Sequence, residues 1–355
     1  MNTHFDKHRA EAFEAKMLSV LNGAATALMV SVGHRTGLFD VMSGLAPSDS
    51  HRIAEQAGLD ERYVREWLGA MVTGGIVDYE ETLGTYHLPG EHAASLTREA
   101  RPNNMAATCQ WIPVLGDVED EIVACFEQGG GVPYSSYERF HAVMAEESDQ
   151  SVVAVLLDQI LPGIPGVVEA LQRGIDVLDV GCGSGRALNL MAAAYPNSRF
   201  RGYDVAAEGI AAAKACAAER GLRNVHFELR DVAELEVDDA FDLVTAFDAI
   251  HDQARPDVVL AGIARALRGD GLFLMQDIAG SSHVHADLGN PLAPFLYTIS
   301  CMHCMTVSLA ADGAGLGAMW GRDTACRMLS DAGFGDVTVK ELPHDVMNYY
   351  YVARK

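Results

Sequence analysis

The sequence is short of positive charge: among 355 residues, 26 lysines and arginines stand against 49 acids, for a formal net charge of −23. Acids outnumber bases both before and after residue 100. Nucleic-acid binders carry a basic face, so this balance argues against a nucleic-acid partner, and equally against an anionic membrane surface. The amino-terminal stretch from Met1 to Arg9 is charged and has no signal-type apolar core. The most apolar early run, Ala24 to Val32, is too short to span a bilayer, so no membrane association is expected. The seven cysteines form an odd set with no framework spacing. That pattern predicts reduced thiols and a cytoplasmic location. Cys301 and Cys304 flank His303, but no second ligand pair has metal-like spacing, and no metal is expected. There is also no internal repeat and no low-complexity tract.

What is present is an α/β pattern. About half the residues are hydrophobic, alanine is abundant, and the length suffices for two domains. The most informative stretch is Val177-Leu178-Asp179-Val180-Gly181-Cys182-Gly183-Ser184-Gly185. It reads as a buried parallel strand running into a tight glycine turn and then a helix. Glycine is required where the backbone takes unusual angles and approaches a ligand closely. A polar cofactor then sits at the strand's carboxyl end, against the helix amino end. The dinucleotide spacing G-x-G-x-x-G fails, because the third position is Arg186.

Further strands follow at the expected intervals. Arg199–Asp204 ends in an acid suited to ribose hydroxyls. Asn224–Val232 carries Asp231 at its end. Phe241–Phe247 is followed by Asp248-Ala249-Ile250-His251-Asp252, and Leu267–Asp277 reads as a helix end, a turn and a fifth strand. This ordered set resembles the class I S-adenosylmethionine-dependent methyltransferases over roughly residues 166–355. The resemblance implies a Rossmann-like seven-stranded sheet ending in an antiparallel hairpin, here Asp336–Leu342 and Met347–Ala353. It implies S-adenosyl-L-methionine as cofactor, held by Asp179, Gly181, Gly183, Asp204, Val205, Asp231, Val232 and Phe247.

Residues 1–100 read as a mostly helical unit. Helices are expected over Ala10–Val20, Ala24–Arg35, His51–Leu59 and Glu61–Val72, the last capped by Asp60. Two small strands flank the turn at Leu83-Gly84. This order resembles a winged helix, and the whole chain resembles bacterial small-molecule methyltransferases related to the plant O-methyltransferase type. In such proteins the front module forms a homodimer interface. A DNA-binding regulator that senses S-adenosylmethionine is the alternative, but the Glu61–Val72 helix offers only Arg62 and Arg65 beside Glu61 and Glu66. A nucleic-acid methyltransferase is a further alternative, although adenine methylases carry a proline-rich motif where this chain has Asp248-Ala249-Ile250-His251.

Residues 101–165 read as a connector over the active site, helical from Met105 to Phe126 with a kink near Pro113. Within it, Tyr134, Tyr137 and Phe140 are candidates to wall the site. An insertion at about 280–321 is too long for a simple connection and reads as a lid. It supplies Tyr297, Met302, His303 and Trp320 to a substrate pocket suited to a small, largely apolar or aromatic acceptor. A protic acceptor needs a base with a near-neutral pKa. His251 is the candidate, matching the catalytic His-Asp of plant-type O-methyltransferases but with Gln253 in place of their tryptophan. His303 is a second possible base.

Overall fold

The computed structural model describes residues 5–102 and 104–355, so that the terminal Met1–His4 and Asn103 lie outside the described residues. The chain divides into two compact units, one ending at Pro113 and one spanning Val114–Lys355.

The first unit is built on helix α1 (Lys7–Thr36). Sequence predicts two helices here, and the structure has one of 30 residues. Gly23, which lies between the two expected helices, is helical, at a cost of roughly 0.5–1 kcal/mol relative to alanine. By length and composition alone α1 is long and apolar enough to cross a membrane, which the run Ala24–Val32 by itself is not. Within the unit only its carboxyl end is buried, at Val30, Ser31, Gly33 and His34. Phe13, Leu18, Leu21 and Leu28 are exposed. Helices α2 (Leu38–Ser43), α3 (Ser50–Ala57) and α4 (Glu61–Thr73) follow. The Asp60 carboxylate caps α4, accepting from Arg62 N at 2.9 Å. Trp67 on α4 donates its indole N–H to Met29 O at 2.8 Å, pinning α4 to α1. Strands β1 (Asp78–Glu80) and β2 (Thr85–His87) pair antiparallel as the wing.

The second unit holds a seven-stranded sheet in the order β5-β4-β3-β6-β7-β9-β8. Its strands are β3 (Asp176–Val180), β4 (Arg199–Asp204), β5 (Val225–Leu229), β6 (Phe241–Phe247), β7 (Leu267–Ile278), β8 (Asp336–Leu342) and β9 (Asp345–Arg354). The first five run parallel; β9 is antiparallel to both β7 and β8. Helices cover both faces, which explains why β3 is a continuous apolar run rather than an alternating one. The expected kink at Pro113 is instead a helix start: helical turns at Met105–Thr108 and Trp111–Gly116 precede the helix Glu119–Gln128. Pro113 sits in the first turn of its helix, where its missing N–H has no partner to lose.

The insertion after β7 is helical, not loop-like. Ala293–Ile299 runs into a π-helical turn, Ser300–Cys304, and then into Met305–Ala310. In that turn Met305 N–H donates to Ser300 O, five residues back. Ser300, His303 and Cys304 thereby all face inward, and such turns recur at functional sites.

Candidate active site

The carboxyl ends of β3, β4, β5 and β6 surround a cleft of about 440 Å³ within the second unit. Its floor is the glycine turn. Gly181, Gly183 and Gly185 all lie in the left-handed region, with φ of 69°, 50° and 66°. At Gly181 a Cβ would stand 2.4 Å from Ala249 Cβ, and at Gly185 it would stand 2.6 Å from the Phe227 ring. A Cβ at Gly183 meets no atom within 4 Å, so this backbone faces open space and can meet a ligand directly. Asp204, at the end of β4, braces the turn: its Oδ2 accepts from Gly183 N at 2.8 Å and its Oδ1 from Ala206 N at 2.7 Å. Asp231, after β5, accepts from Ala233 N at 2.8 Å. The strand ends thus present two carboxylates, held by backbone N–H groups, to one cavity.

Of the residues expected at the cofactor, Gly181, Gly183, Asp204, Val205, Asp231, Val232 and Phe247 line this cleft. Asp179 does not; it is buried beneath the turn, where its Oδ1 accepts from Thr245 Oγ1 at 2.6 Å. Burial pushes its carboxyl up to about 7, because a charged form there has lost its water.

The expected substrate-pocket residues separate in the same way. Tyr134 lines the cleft and donates its hydroxyl to Asp252. Burial, and then the Asp252 carboxylate, raise the Tyr134 phenol well above its usual range. Tyr137 is buried behind this wall and donates to the Met302 carbonyl. His303 stacks on Phe140 with ring centroids 4.0 Å apart, and Tyr134 and Tyr137 stand edge-on to it. Burial, and then the nearby His251 charge, lower His303 to about 3, which leaves it neutral and a weak base. Tyr297 donates to Asp287 Oδ2 at 2.9 Å. Trp320 is buried and donates its indole N–H to Asp277 Oδ1 at 3.0 Å. Tyr137, Tyr297, Met302, His303 and Trp320 are not among the residues lining the cleft.

His251 lies between Asp248 and Asp252, both of which do line it. Its Nδ1 bonds Asp277 Oδ1 at 2.7 Å. Burial pulls this imidazole's pKa down, but the Asp277 carboxylate and then Cys304 together more than offset it and hold the pKa well above 6.5. Sequence reasoning missed Asp277 as a site residue. The signal is in the register: Phe247 pairs with Gln276, so the residue after Gln276 sits at the same sheet edge as His251. His141, Met144, Arg230, Asp252 and Gln253 also line the cleft without having been anticipated there.

Comparison with known proteins fits this geometry. Residues 24–98 match the Rv2258c-like winged HTH domain, and residues 171–306 match a methyltransferase domain. The chain is 32% identical to the fatty-acid O-methyltransferase of Mycolicibacterium smegmatis over 30% of its own length and 38% of that protein's. It is 41% identical to the nocamycin O-methyltransferase of Saccharothrix syringae over 28% and 36%. The chain therefore spans under two fifths of the length of these relatives. Among solved structures, human N-acetylserotonin methyltransferase in complex with SAM aligns with a TM-score of 0.68 at 17% identity, covering 100% of this chain and 99% of that one. The mitomycin 7-O-methyltransferase MmcR aligns with a TM-score of 0.69 at 16% identity, covering 99% and 100%. The chain thus combines a winged helix-turn-helix domain with a methyltransferase domain, on the fold that these methyltransferases share.

Proposed function

We propose that the protein transfers a methyl group from S-adenosyl-L-methionine to a hydroxyl of a small, largely apolar or aromatic acceptor. The observation that carries this reading is the cleft itself. An open glycine backbone and two strand-end carboxylates meet in one cavity beside a buried His251–Asp277 pair. The residues present fit the donor. Asp204 retains acceptor capacity for ribose hydroxyls beyond its two backbone bonds, Asp231 would take the adenine edge, and Gly183 leaves room for the chain. When bound, the donor supplies an already activated methyl group, so the protein chiefly aligns and dries the acceptor. Phe140, His141, Met144 and Val307 line the cleft with Tyr134 and suit a flat apolar molecule.

His251 is the proposed general base. Asp277 is a positioning residue that fixes the ring through Nδ1 and raises its basicity. The alternative of a DNA-binding regulator is disfavoured by α4, where Glu66 pairs with Arg62 and Glu61 with Arg65, offsetting both of its arginines. The exposed apolar face of α1 supports a homodimer, and the absence of a charged side chain from Met17 to His34 suits a helix packed against its twin. A cytoplasmic location accords with the seven free cysteines. Incubating purified protein with labelled donor and fractionated metabolite extracts tests the reading. Label in a small apolar product is expected, whereas label only in nucleic acid, or in nothing, contradicts it.

A further inference from the structure

Asp248 is an acid in the cleft that the proposed reaction leaves without a role. It directly follows β6 and lines the cavity. Its φ of 50° is a left-handed conformation that residues other than glycine seldom adopt and that recurs at functional sites. Its Oδ2 accepts from Nε2 of the fully buried Gln276 at 3.0 Å. Its Oδ1 is buried and meets no donor among the described residues. Burial, and then the Asp277 charge, push this carboxyl up to about 8. A carboxylate held this way gains from a positive charge nearby. The His251 ring stands within 4.8 Å of it, but its Nδ1 is committed to Asp277. The other cleft acids have partners or roles: Asp252 takes the Tyr134 hydroxyl, and Asp204 and Asp231 face the nucleoside end of the donor on the reading above.

On the reading of this cleft as a methyl-donor site, we infer that Asp248 is the counter-charge of the donor's sulfonium and sets the preference for the charged donor over the neutral thioether left after transfer. The placement follows from the chemistry. The transferred methyl lies between sulfur and the acceptor oxygen, and that oxygen must reach His251. Sulfur therefore comes to the His251 end of the cleft, where Asp248 stands. The glycine turn agrees, because Gly181 packs against Ala249, the residue after Asp248. In the transfer the acceptor oxygen bonds the methyl carbon, the C–S electron pair stays on sulfur, and the hydroxyl proton passes to His251. Sulfur thus changes from a cation to a neutral thioether. Asp248 attracts the first state and not the second, and in a partly buried cleft a unit charge acts over several ångströms without direct contact. Product therefore lacks a hold that the donor has.

The test is calorimetric titration of the full chain with S-adenosyl-L-methionine and with S-adenosylhomocysteine, which differ by one methyl group and one charge. Asp248→Asn keeps the shape of the side chain, tolerates the left-handed backbone and can still accept from Gln276. It should lower the ratio of donor affinity to thioether affinity at least about tenfold, chiefly by weakening the donor. An analogue with an ammonium in place of the sulfonium should lose affinity along with the donor, which separates charge from contact with the methyl group. Asp248→Gly, which takes positive φ freely, gives the same readout if Asp248→Asn does not fold. A ratio that stays at the wild-type value overturns the inference, whether neither ligand is weakened or both are weakened equally, as a merely structural acid would give. An ammonium analogue that binds the variant as well as wild type overturns it too. Wild-type protein that binds neither ligand overturns the donor reading itself, and this inference with it.

Discussion

At the scale of single residues, the proposed chemistry rests on how His251 is held. The Asp277 carboxylate beside it, with Cys304, more than offsets burial and holds its pKa above the ordinary histidine value. A base must first give up its proton, so turnover should climb with pH through an inflection above 6.5 rather than near it. A pH–rate profile with a flat response, or an inflection below 6.5, contradicts this. His251→Ala should lower kcat about 10²–10⁴-fold while S-adenosylhomocysteine binds as in wild type. Asp277→Asn removes the counter-charge, so the inflection should move down, and breaking the buried pair should cost about 3–5 kcal/mol of stability. The sign with pH follows from the raised value. The stability contributed by the pair is fully present below pH 6.5 and is lost as pH rises through the pKa of folded His251. Melting curves of wild type and Asp277→Asn should therefore converge as pH increases; a gap that widens would be inconsistent with a charged His251.

At the scale of elements, the glycine turn is where sequence and geometry agree most closely. Three glycines at alternate positions predict a turn that only glycine can make, and all three have positive φ. Gly181→Ala would combine an unfavourable backbone with a contact 2.4 Å from Ala249 Cβ. It should both destabilise the domain and weaken donor binding; thermal melts and calorimetry that match wild type would show that the turn tolerates a side chain. Strand ends were legible for the same reason: short apolar runs ending in acids put Asp204 and Asp231 at one edge. The insertion after β7 was legible only as a long segment of unusual composition. Its π-helical turn changes which residues face inward, and spacing alone does not reveal a turn wider than 3.6 residues. Trp320, in a separate turn at Ala318–Trp320, was expected in the pocket and instead donates to Asp277. Asp277 itself was hidden because its partner His251 is 26 residues away and only the parallel register of β6 and β7 brings them together. The two helices expected over Ala10–Val20 and Ala24–Arg35 form the single helix α1, because the glycine between them, Gly23, costs only about 0.5–1 kcal/mol relative to alanine, too little to end a helix that continues on both sides.

At the scale of the whole molecule, two features bear on behaviour in solution: a net charge of −23 and a long apolar helix with much of its surface exposed. The charge resists non-specific association, so a specific interface through α1 should give a discrete dimer rather than aggregates. Light scattering in detergent-free buffer should report a homodimer, and Leu21→Glu, on the exposed face of α1, should shift it toward monomer. A wild-type monomer at micromolar concentration, or partition of the protein into lipid vesicles, contradicts the dimer and favours another role for α1. The central claim, however, concerns the donor, and one titration reaches it most directly. Calorimetry with S-adenosyl-L-methionine should show saturable one-to-one binding. In Asp204→Ala that binding should weaken by roughly 10–100-fold, the loss of a charged acceptor worth about 1.5–3 kcal/mol. Wild-type protein that does not bind the donor, or an Asp204→Ala variant that binds it equally well, would contradict the account.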